Sequence, residues 1–200
     1  MTLRVVDQHA PDAVRRTSDV LAAGGLVVLP TDTVYGLAAR AADPIATKRL
    51  FECKGRGADV PVAVLCASAE QALDLAADVP EAARRLAEEH WPGALTLVLP
   101  RRPDLDWALG EPLVTIGVRC PDHDLVRAFA AVVGPLATTS ANRPGVPTPA
   151  EAVPAAASLL GPVDLVVDGG PLGGAPSTVG DATTPDLRVQ RAGIGDVGLG

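Results

Sequence analysis

The stretch Leu26-Val-Val-Leu-Pro-Thr-Asp-Thr-Val-Tyr-Gly-Leu37 opens as an apolar strand and changes at Pro30 into a segment rich in hydroxyl groups. In α/β proteins, ligand sites are commonly built from the residues that follow the carboxyl end of a buried strand. In an extended chain, Thr31, Thr33 and Tyr35 would share one face. This stretch therefore predicts one wall of a site for a small polar ligand.

Around this stretch, apolar strands alternate with amphipathic helices, which predicts an α/β fold. Proline, glycine and capping residues mark most of the boundaries, including Asp43 before Pro44 and Thr148 in a capping box with Glu151, where Pro154 should shorten the helix. Helices are predicted at 11–23, 43–53, after 68, at 80–89, at 122–133 and after 148. Strands are predicted at 26–29, 61–66, 94–99, 114–119, 136–140, 165–167, 177–179 and 187–190.

Composition favours a single globular domain spanning residues 1–200, with a short flexible tail from about residue 193. The chain is 48% hydrophobic and 2% aromatic, so its core should be built from Ala, Val and Leu. No run approaches the roughly 18 apolar residues of a membrane span, and the first residues do not resemble a secretion signal. The net charge of −7 disfavours a broad nucleic-acid-binding surface.

Cysteine and histidine patterns predict a cytoplasmic protein without a metal centre. Cys53, Cys66 and Cys120 are odd in number and form no Cys-x-x-Cys pair, so we interpret them as reduced thiols. The three histidines are scattered and suggest no ligand set.

Three further segments place polar residues at the end of an apolar element. Lys54 and Arg56 are two residues apart, with Gly55 between them and Gly57 after them, which suits a polyphosphate, although a solvated loop has the same pattern. Arg119 ends a strand in which Thr115 and Gly117 share its face. It is either an anion anchor or an edge arginine reaching water.

The third segment, residues 136–142, places Thr138, Ser140 and Asn142 on one face of a strand end. Such a row suits ribose, amide or phosphate oxygens, but it could equally cap the following turn. The glycine-rich stretch 169–178 could wrap an anion, yet it matches no phosphate-loop pattern.

Six motifs occur in an order that resembles the YrdC-like threonylcarbamoyl-AMP synthases, in particular their single-domain members. They are P-T-D-T-V-Y-G-L at 30–37, K-x-R at 54–56, W-P-G-A-L-T at 91–96, G-V-R-C-P at 117–121, S-A-N at 140–142 and S-T-V at 177–179. Each motif alone is weak, but six in order are specific.

The resemblance implies a twisted, open mixed sheet with flanking helices and a concave ligand-binding face. It also implies L-threonylcarbamoyladenylate synthesis from L-threonine, bicarbonate or CO2, and ATP with Mg²⁺, releasing pyrophosphate. A separate transferase complex would then use the product to modify adenosine 37 of tRNA. Weak RNA binding is a further expectation, and no membrane association is expected.

The motifs also assign residues to ligands by resemblance. L-threonine would contact Thr33, Arg119, Thr138 and Ser177, and Lys54 and Arg56 would act on the phosphates as the catalytic cations. ATP would contact Lys54, Arg56, Thr115, Ser140, Asn142, Thr148 and Arg191. No metal ligand is assigned, and Asp32 could orient the loop or hold a hydrated ion.

The chain departs from the family pattern at Gly57, Val60, Leu65, Pro144 and Gly180, which bears on the detailed contacts. Two other functions compete with this one. One is the carbamoyl-adenylate module of hydrogenase-maturation carbamoyltransferases, which carry zinc-finger regions for which this chain has no Cys-x-x-Cys pair. The other is a non-catalytic RNA-binding module, which the acidic net charge disfavours.

Overall fold

The computed structural model describes residues 3–57, 59–111, 114–184 and 186–194, whose strands form a single sheet of ten. The strands are β1 (Val5–Asp7), β2 (Val27–Leu29), β3 (Gly36–Arg40), β4 (Ala63–Leu65), β5 (Leu95–Pro100), β6 (Thr115–Arg119), β7 (Leu136–Ser140), β8 (Leu165–Asp168), β9 (Thr178–Asp181) and β10 (Arg188–Arg191). The helices are α1 (Ala13–Ala22), α2 (Pro44–Lys54), α3 (Ala69–Leu73), α4 (Glu81–His90), α5 (Asp124–Val133) and α6 (Ala152–Ala157).

The sheet is open and mixed, as predicted. Its order is β1-β8-β2-β3-β7-β4-β6-β5-β9-β10. Parallel pairs such as β4 with β6 stand beside antiparallel pairs such as β3 with β7. Most neighbours in the sheet are far apart in the chain, so residues from many segments meet on one face.

Helices and loops cover both faces of the sheet. In β2, Val28 packs into one apolar cluster while Val27 and Leu29 pack into the other, and none of the three is exposed. The second cluster also contains Leu21 of α1 and Phe129 of α5. A strand buried on both faces reads as a continuous apolar run, which is why the sequence identified β2 so clearly.

Local signals fixed several boundaries correctly. The Asp43 side chain caps α2 by accepting hydrogen bonds from the backbone of Ile45 and Ala46, and Gly55 ends the helix with a left-handed φ of 65°. Ser68 caps α3 by accepting from Gln71 N. The caps predicted at Asp43 and Ser68 are confirmed because each depends on residues within one helical turn.

Three predictions of local structure need correction. β1 and β3 were not predicted as strands at all. The capping box at Thr148 does not form, since α6 begins at Ala152 after Glu151, which makes no side-chain cap. Pro154 lies inside this six-residue helix, which is short as expected.

The end of the described chain is tied to the sheet. Gly193 N donates to Thr178 Oγ1 at 3.1 Å, and Ile194 forms an isolated parallel bridge with Ser177. The predicted flexible tail falls mostly on residues 195–200, which lie outside the described residues. Among the described residues, no helix is long and apolar enough to cross a membrane.

Candidate functional site

A cavity of about 560 Å³ runs along one face of β5, β6 and β9. Most of the residues of these strands that line it alternate along the strand, as the pleat favours. They are Thr96 and Val98 of β5, Thr115, Gly117 and Arg119 of β6, and Val179 and Asp181 of β9, and Ile116 of β6 also borders the cavity. Strand register sets the length of the cavity, because Arg119 and Thr115 lie four residues apart, or roughly 13 Å.

Arg119 forms one end of the cavity and is only 5% exposed. Its Nε donates to Gly93 O at 2.8 Å, one terminal nitrogen lies 3.3 Å from Thr33 Oγ1, and the other lies 2.5 Å from Asp32 Oδ1. Burial lowers the pKa of Arg119, and Asp32 opposes that effect. A guanidinium has five N–H groups, so two remain for a ligand such as a carboxylate.

Asp32 stands behind Arg119 rather than among the residues that line the cavity. Its Oδ1 accepts from Arg119 and its Oδ2 accepts from Asp122 N at 3.1 Å. The ion pair is largely buried, with 5% and 13% of the two side chains exposed. Asp32 therefore orients the loop and the arginine, one of the two roles considered for it from the sequence.

The hydroxyl-rich segment is a tight turn instead of an extended strand. Thr31 Oγ1 accepts from the backbone N–H of Thr33 and Val34 and lies 2.9 Å from Thr33 Oγ1. Thr31 and Thr33 line the cavity, but Tyr35 does not. The predicted shared face is therefore wrong for Tyr35, because the turn breaks the two-residue period.

Tyr35 closes the loop from behind. It is fully buried, and its hydroxyl donates to Gly170 O at 2.7 Å and accepts from Gly169 N at 3.0 Å. The glycine-rich stretch also packs against the turn, since a Cβ on Gly174 would lie 2.0 Å from Thr33 O. This stretch supports the turn from outside.

Ser177 continues the same wall beside Arg119. Its hydroxyl lies 3.0 Å from Thr96 Oγ1, and Arg191 donates to its carbonyl at 2.8 Å and to its hydroxyl at 3.2 Å. Thr138 also lines the cavity, with its hydroxyl donating to Leu136 O. The four residues assigned to threonine, namely Thr33, Arg119, Thr138 and Ser177, are thus brought together.

Arg56 reaches the cavity from the loop after α2. It donates to the carbonyls of Val60 and Pro61 at 2.8 and 2.9 Å, and to Thr139 Oγ1 at 3.2 Å. Burial lowers its pKa, and the positive charge of Arg191 adds to that effect. Among the described residues, the cavity is thus lined by the arginines at 56, 119 and 191 and by one carboxylate, that of Asp181.

Lys54 is placed differently from its predicted role. It is 4% exposed, does not line the cavity, and points its ammonium at the segment after β7. It donates to the carbonyls of Ser140 and Asn142 and to Asn142 Oδ1 at 2.7 Å, with Ser140 Oγ at 3.4 Å. Three ammonium hydrogens facing four oxygens leave no free donor for a phosphate in this arrangement.

The remaining predicted ATP contacts divide into two groups. Thr115 and Ser140 line the cavity, whereas Asn142 and Thr148 do not. Asn142 instead holds its own loop through Lys54 and through hydrogen bonds from Nδ2 to Arg143 O and Val146 O.

Sequence reasoning missed several polar lining residues, namely Thr96, Thr139, Asp181, Thr183 and Gln190. The sequence did carry a signal for Thr96, because this residue ends the W-P-G-A-L-T motif and lies on the buried face of β5. Gln190 carried no sequence signal, since its placement depends on how β10 pairs with β9.

No resident metal site is apparent in the described ranges. No group of three or more His, Cys, Asp or Glu side chains there could hold a metal ion. The donor set of the cavity is cationic and hydroxylic, which fits anions rather than a bare cation.

Fold and cavity together define an α/β protein with an arginine-lined cavity whose chemistry suits anionic ligands. The model of the Sua5/YciO/YrdC family, described as "Telomere recombination", matches residues 19–193. The chain belongs to this family, as its motifs predicted.

Two named relatives match most of this chain. The threonylcarbamoyl-AMP synthase of Pyrococcus abyssi is 41% identical over 184 residues, covering 90% of this chain and 54% of the relative. That of Bacillus subtilis is 42% identical over 169 residues, covering 83% and 49%. The chain therefore spans about half the length of these two relatives.

A solved structure has the same fold. The crystal structure of P. abyssi Sua5 complexed with L-threonine superposes with a TM-score of 0.88 at 38% identity, covering 96% of this chain and 58% of that one.

Proposed function

We propose that this protein is an L-threonylcarbamoyladenylate synthase that makes threonylcarbamoyl-AMP and pyrophosphate from L-threonine, bicarbonate or CO2, and ATP. The observation that carries the proposal is the arginine-lined cavity, which has a buried guanidinium at a hydroxyl-rich end and two further arginines along its length. The names of the relatives from P. abyssi and B. subtilis support the same activity and favour neither alternative considered from the sequence.

The reaction brings two anions together. The amine nitrogen of L-threonine loses a proton and bonds to the carbon of CO2, or of bicarbonate with loss of water, giving N-carboxy-threonine. A carboxylate oxygen of this carbamate attacks the α-phosphorus of ATP. The bond from that phosphorus to the bridging oxygen breaks, and pyrophosphate leaves with the electron pair.

Such a transfer needs positioning and charge stabilisation more than a nucleophilic side chain. Arg119 would hold the carboxylate of threonine, with the hydroxyls of Thr33, Thr138 and Ser177 around the rest of the amino acid. Arg56 and Arg191 would meet the phosphates, where they offset the repulsion between the carbamate and ATP.

Lys54 enters the proposal through the segment that it holds. Its ammonium fixes the carbonyls of Ser140 and Asn142, and Ser140 lines the cavity. We propose that Lys54 acts on ATP mainly by fixing this segment. The direct phosphate contacts predicted from the motifs for Lys54, and the nucleotide contacts predicted for Asn142 and Thr148, would require a different loop arrangement.

Magnesium would arrive with ATP. We propose that Mg²⁺ enters bound to the phosphates of ATP. The product would pass to a tRNA threonylcarbamoyl transferase complex, and the three buried free cysteines support a reducing, cytoplasmic setting.

The decisive experiment is threonine-dependent pyrophosphate release. Purified protein with MgATP and bicarbonate should release pyrophosphate on addition of L-threonine and much less with L-serine, and mass spectrometry should detect threonylcarbamoyl-AMP. The matched controls omit threonine or bicarbonate. Equal release with and without threonine contradicts the proposal.

A further inference from the structure

Two consecutive residues of β10, Gln190 and Arg191, both line the cavity. Neighbouring residues of a regular strand point to opposite faces of the sheet. Here Val189 pairs with Gly180 and Arg191 pairs with Val179, with an irregularity between them that leaves Gln190 without a partner. This is a β-bulge, a device that commonly turns a side chain toward a site.

Asp181 holds the amide of Gln190 in one orientation. Gln190 Nε2 donates to Asp181 Oδ2 at 2.9 Å, while Asp181 Oδ1 accepts from Thr183 N at 2.9 Å and from Thr183 Oγ1 at 2.6 Å. The hydrogen bond from the Thr183 side chain is the largest cause of a lowered pKa at Asp181, so the carboxylate stays ionised. An ionised carboxylate only accepts hydrogen bonds, and it therefore selects the Nε2 side of the amide.

The fixed amide presents an acceptor beside a donor. Within the described ranges, no hydrogen bond occupies Gln190 Oε1 or its second Nε2–H. This pair complements adenine, which offers the N6 amino group beside a ring nitrogen that accepts. Guanine carries an oxygen in place of that amino group, so it would set two acceptors against each other.

The position of Gln190 in the cavity agrees with a base site. Asp181 pairs in register with Val98, and Gln190 lies three strands across the sheet from β6, the strand that carries Arg119. Val98 and Val179 line the cavity between the two. Apolar side chains with a few polar groups suit a flat heteroaromatic ring. A nucleotide whose phosphates meet the arginines at 56 and 191 would place its base here.

We propose that Gln190, oriented by Asp181, is the residue that selects adenine over guanine nucleotides in this site. The proposal rests on the proposed function in that it takes ATP to be the nucleotide substrate. It adds a specificity determinant that the sequence motifs did not contain.

The test is titration calorimetry of ATP and GTP, each with Mg²⁺ and without threonine. Wild-type protein should bind ATP more tightly than GTP. Gln190→Ala should reduce the ratio of the two affinities by on the order of tenfold or more, chiefly by lowering the affinity for ATP. Asp181→Asn should raise the affinity for GTP. An amide at 181 can donate a hydrogen bond, which lets the side-chain amide of Gln190 adopt the flipped orientation. Val189→Ala, on the same strand and 40% exposed, is the matched control and should keep the wild-type ratio.

Several results would overturn the proposal. They are a wild-type protein that binds both nucleotides equally or neither, and a folded Gln190→Ala protein that keeps the wild-type ratio. Gln190→Glu gives a second check, since it lacks the amide donor and should also weaken ATP. Selective ATP binding that depends on Gln190, found in a protein without threonine-dependent pyrophosphate release, would support this inference while contradicting the proposed function.

Discussion

The two ends of the cavity are built in different ways. At one end, Arg119 is buried and each guanidinium nitrogen already has a protein partner. At the other end, Gln190 belongs to β10, whose residues are all exposed, and its amide donates a hydrogen bond to Asp181. The first end is preorganised for a small ligand before it arrives, whereas the second selects among larger ligands by a single amide. Substitutions at the buried end should therefore reduce activity and stability the most.

Arg119→Ala should have the largest effect. Loss of hydrogen bonds to a charged group costs about 1.5–3 kcal/mol, which lowers kcat/KM for threonine by roughly 10- to 150-fold. The variant also leaves Asp32 buried without its cation, which lowers the free energy of unfolding by about 3–5 kcal/mol. Steady-state kinetics in threonine and thermal denaturation measure the two effects.

The matched control for this variant is Arg127→Ala. Arg127 pairs with Asp124 on α5 and does not line the cavity. It should leave kcat/KM for threonine near the wild-type value. Similar losses in both variants would mean that the effect of Arg119→Ala does not come from the cavity.

The next largest effect should be a pH dependence of kcat/KM for ATP that is caused by Lys54. Burial, together with the nearby charge of Arg56, lowers the pKa of Lys54 from 10.5 to about 8. As pH rises through about 8, Lys54 loses the proton that ties Ser140 to Asn142, so kcat/KM for ATP should fall. Lys54→Arg should move this alkaline limb upward, because a guanidinium stays charged.

Stability should respond in the opposite direction. The unfolded chain keeps the Lys54 proton up to its ordinary pKa of 10.5 and the folded chain only up to about 8. Between these values the unfolded state binds more protons, so the contribution of Lys54 to the free energy of unfolding rises with pH. Lys48→Arg, on the exposed face of the same helix, is the control and should keep the wild-type profile. If the pH profile of kcat/KM for ATP were identical in Lys54→Arg and wild-type protein, the proposed role of the Lys54 charge in ATP use would be refuted.

Tyr35→Phe should have the smallest effect of the three. It removes two hydrogen bonds to the backbone of Gly169 and Gly170, worth about 0.5–1.5 kcal/mol each. We expect a lower melting temperature and a rise in KM for threonine that stays below the effect of Arg119→Ala. A loss of threonine use as large as that of Arg119→Ala would instead place Tyr35 among the ligand contacts.

The sequence predicted the features that depend on local chemistry. Strand β2 is a continuous apolar run, and α2 is announced by Asp43 and Pro44 within one turn. The polar residues at 33, 119, 138 and 177 were grouped by motif resemblance, and the cavity does contain them.

Features that depend on distant pairing were missed. Strand β3 contains Gly36 and two alanines, a composition with little strand preference, and it becomes a strand because β2 and β7 hydrogen-bond to it on both sides. The direction of Lys54 is set by carbonyls 86 and 88 residues later. The bulge at Gln190 exists only relative to β9. No local sequence pattern predicts these three features.

The sheet order has a consequence for synthesis of the chain. β1 pairs with β8 across about 160 residues, and β10 supplies Arg191, which donates to Ser177 at the wall of the cavity. Folding dominated by such distant contacts is slow. A nascent chain therefore emerges from the ribosome with a long stretch of sheet sequence before its ligand site can close. The site is completed only after β10 has been translated, so substrates cannot assist the folding of the strands that precede it.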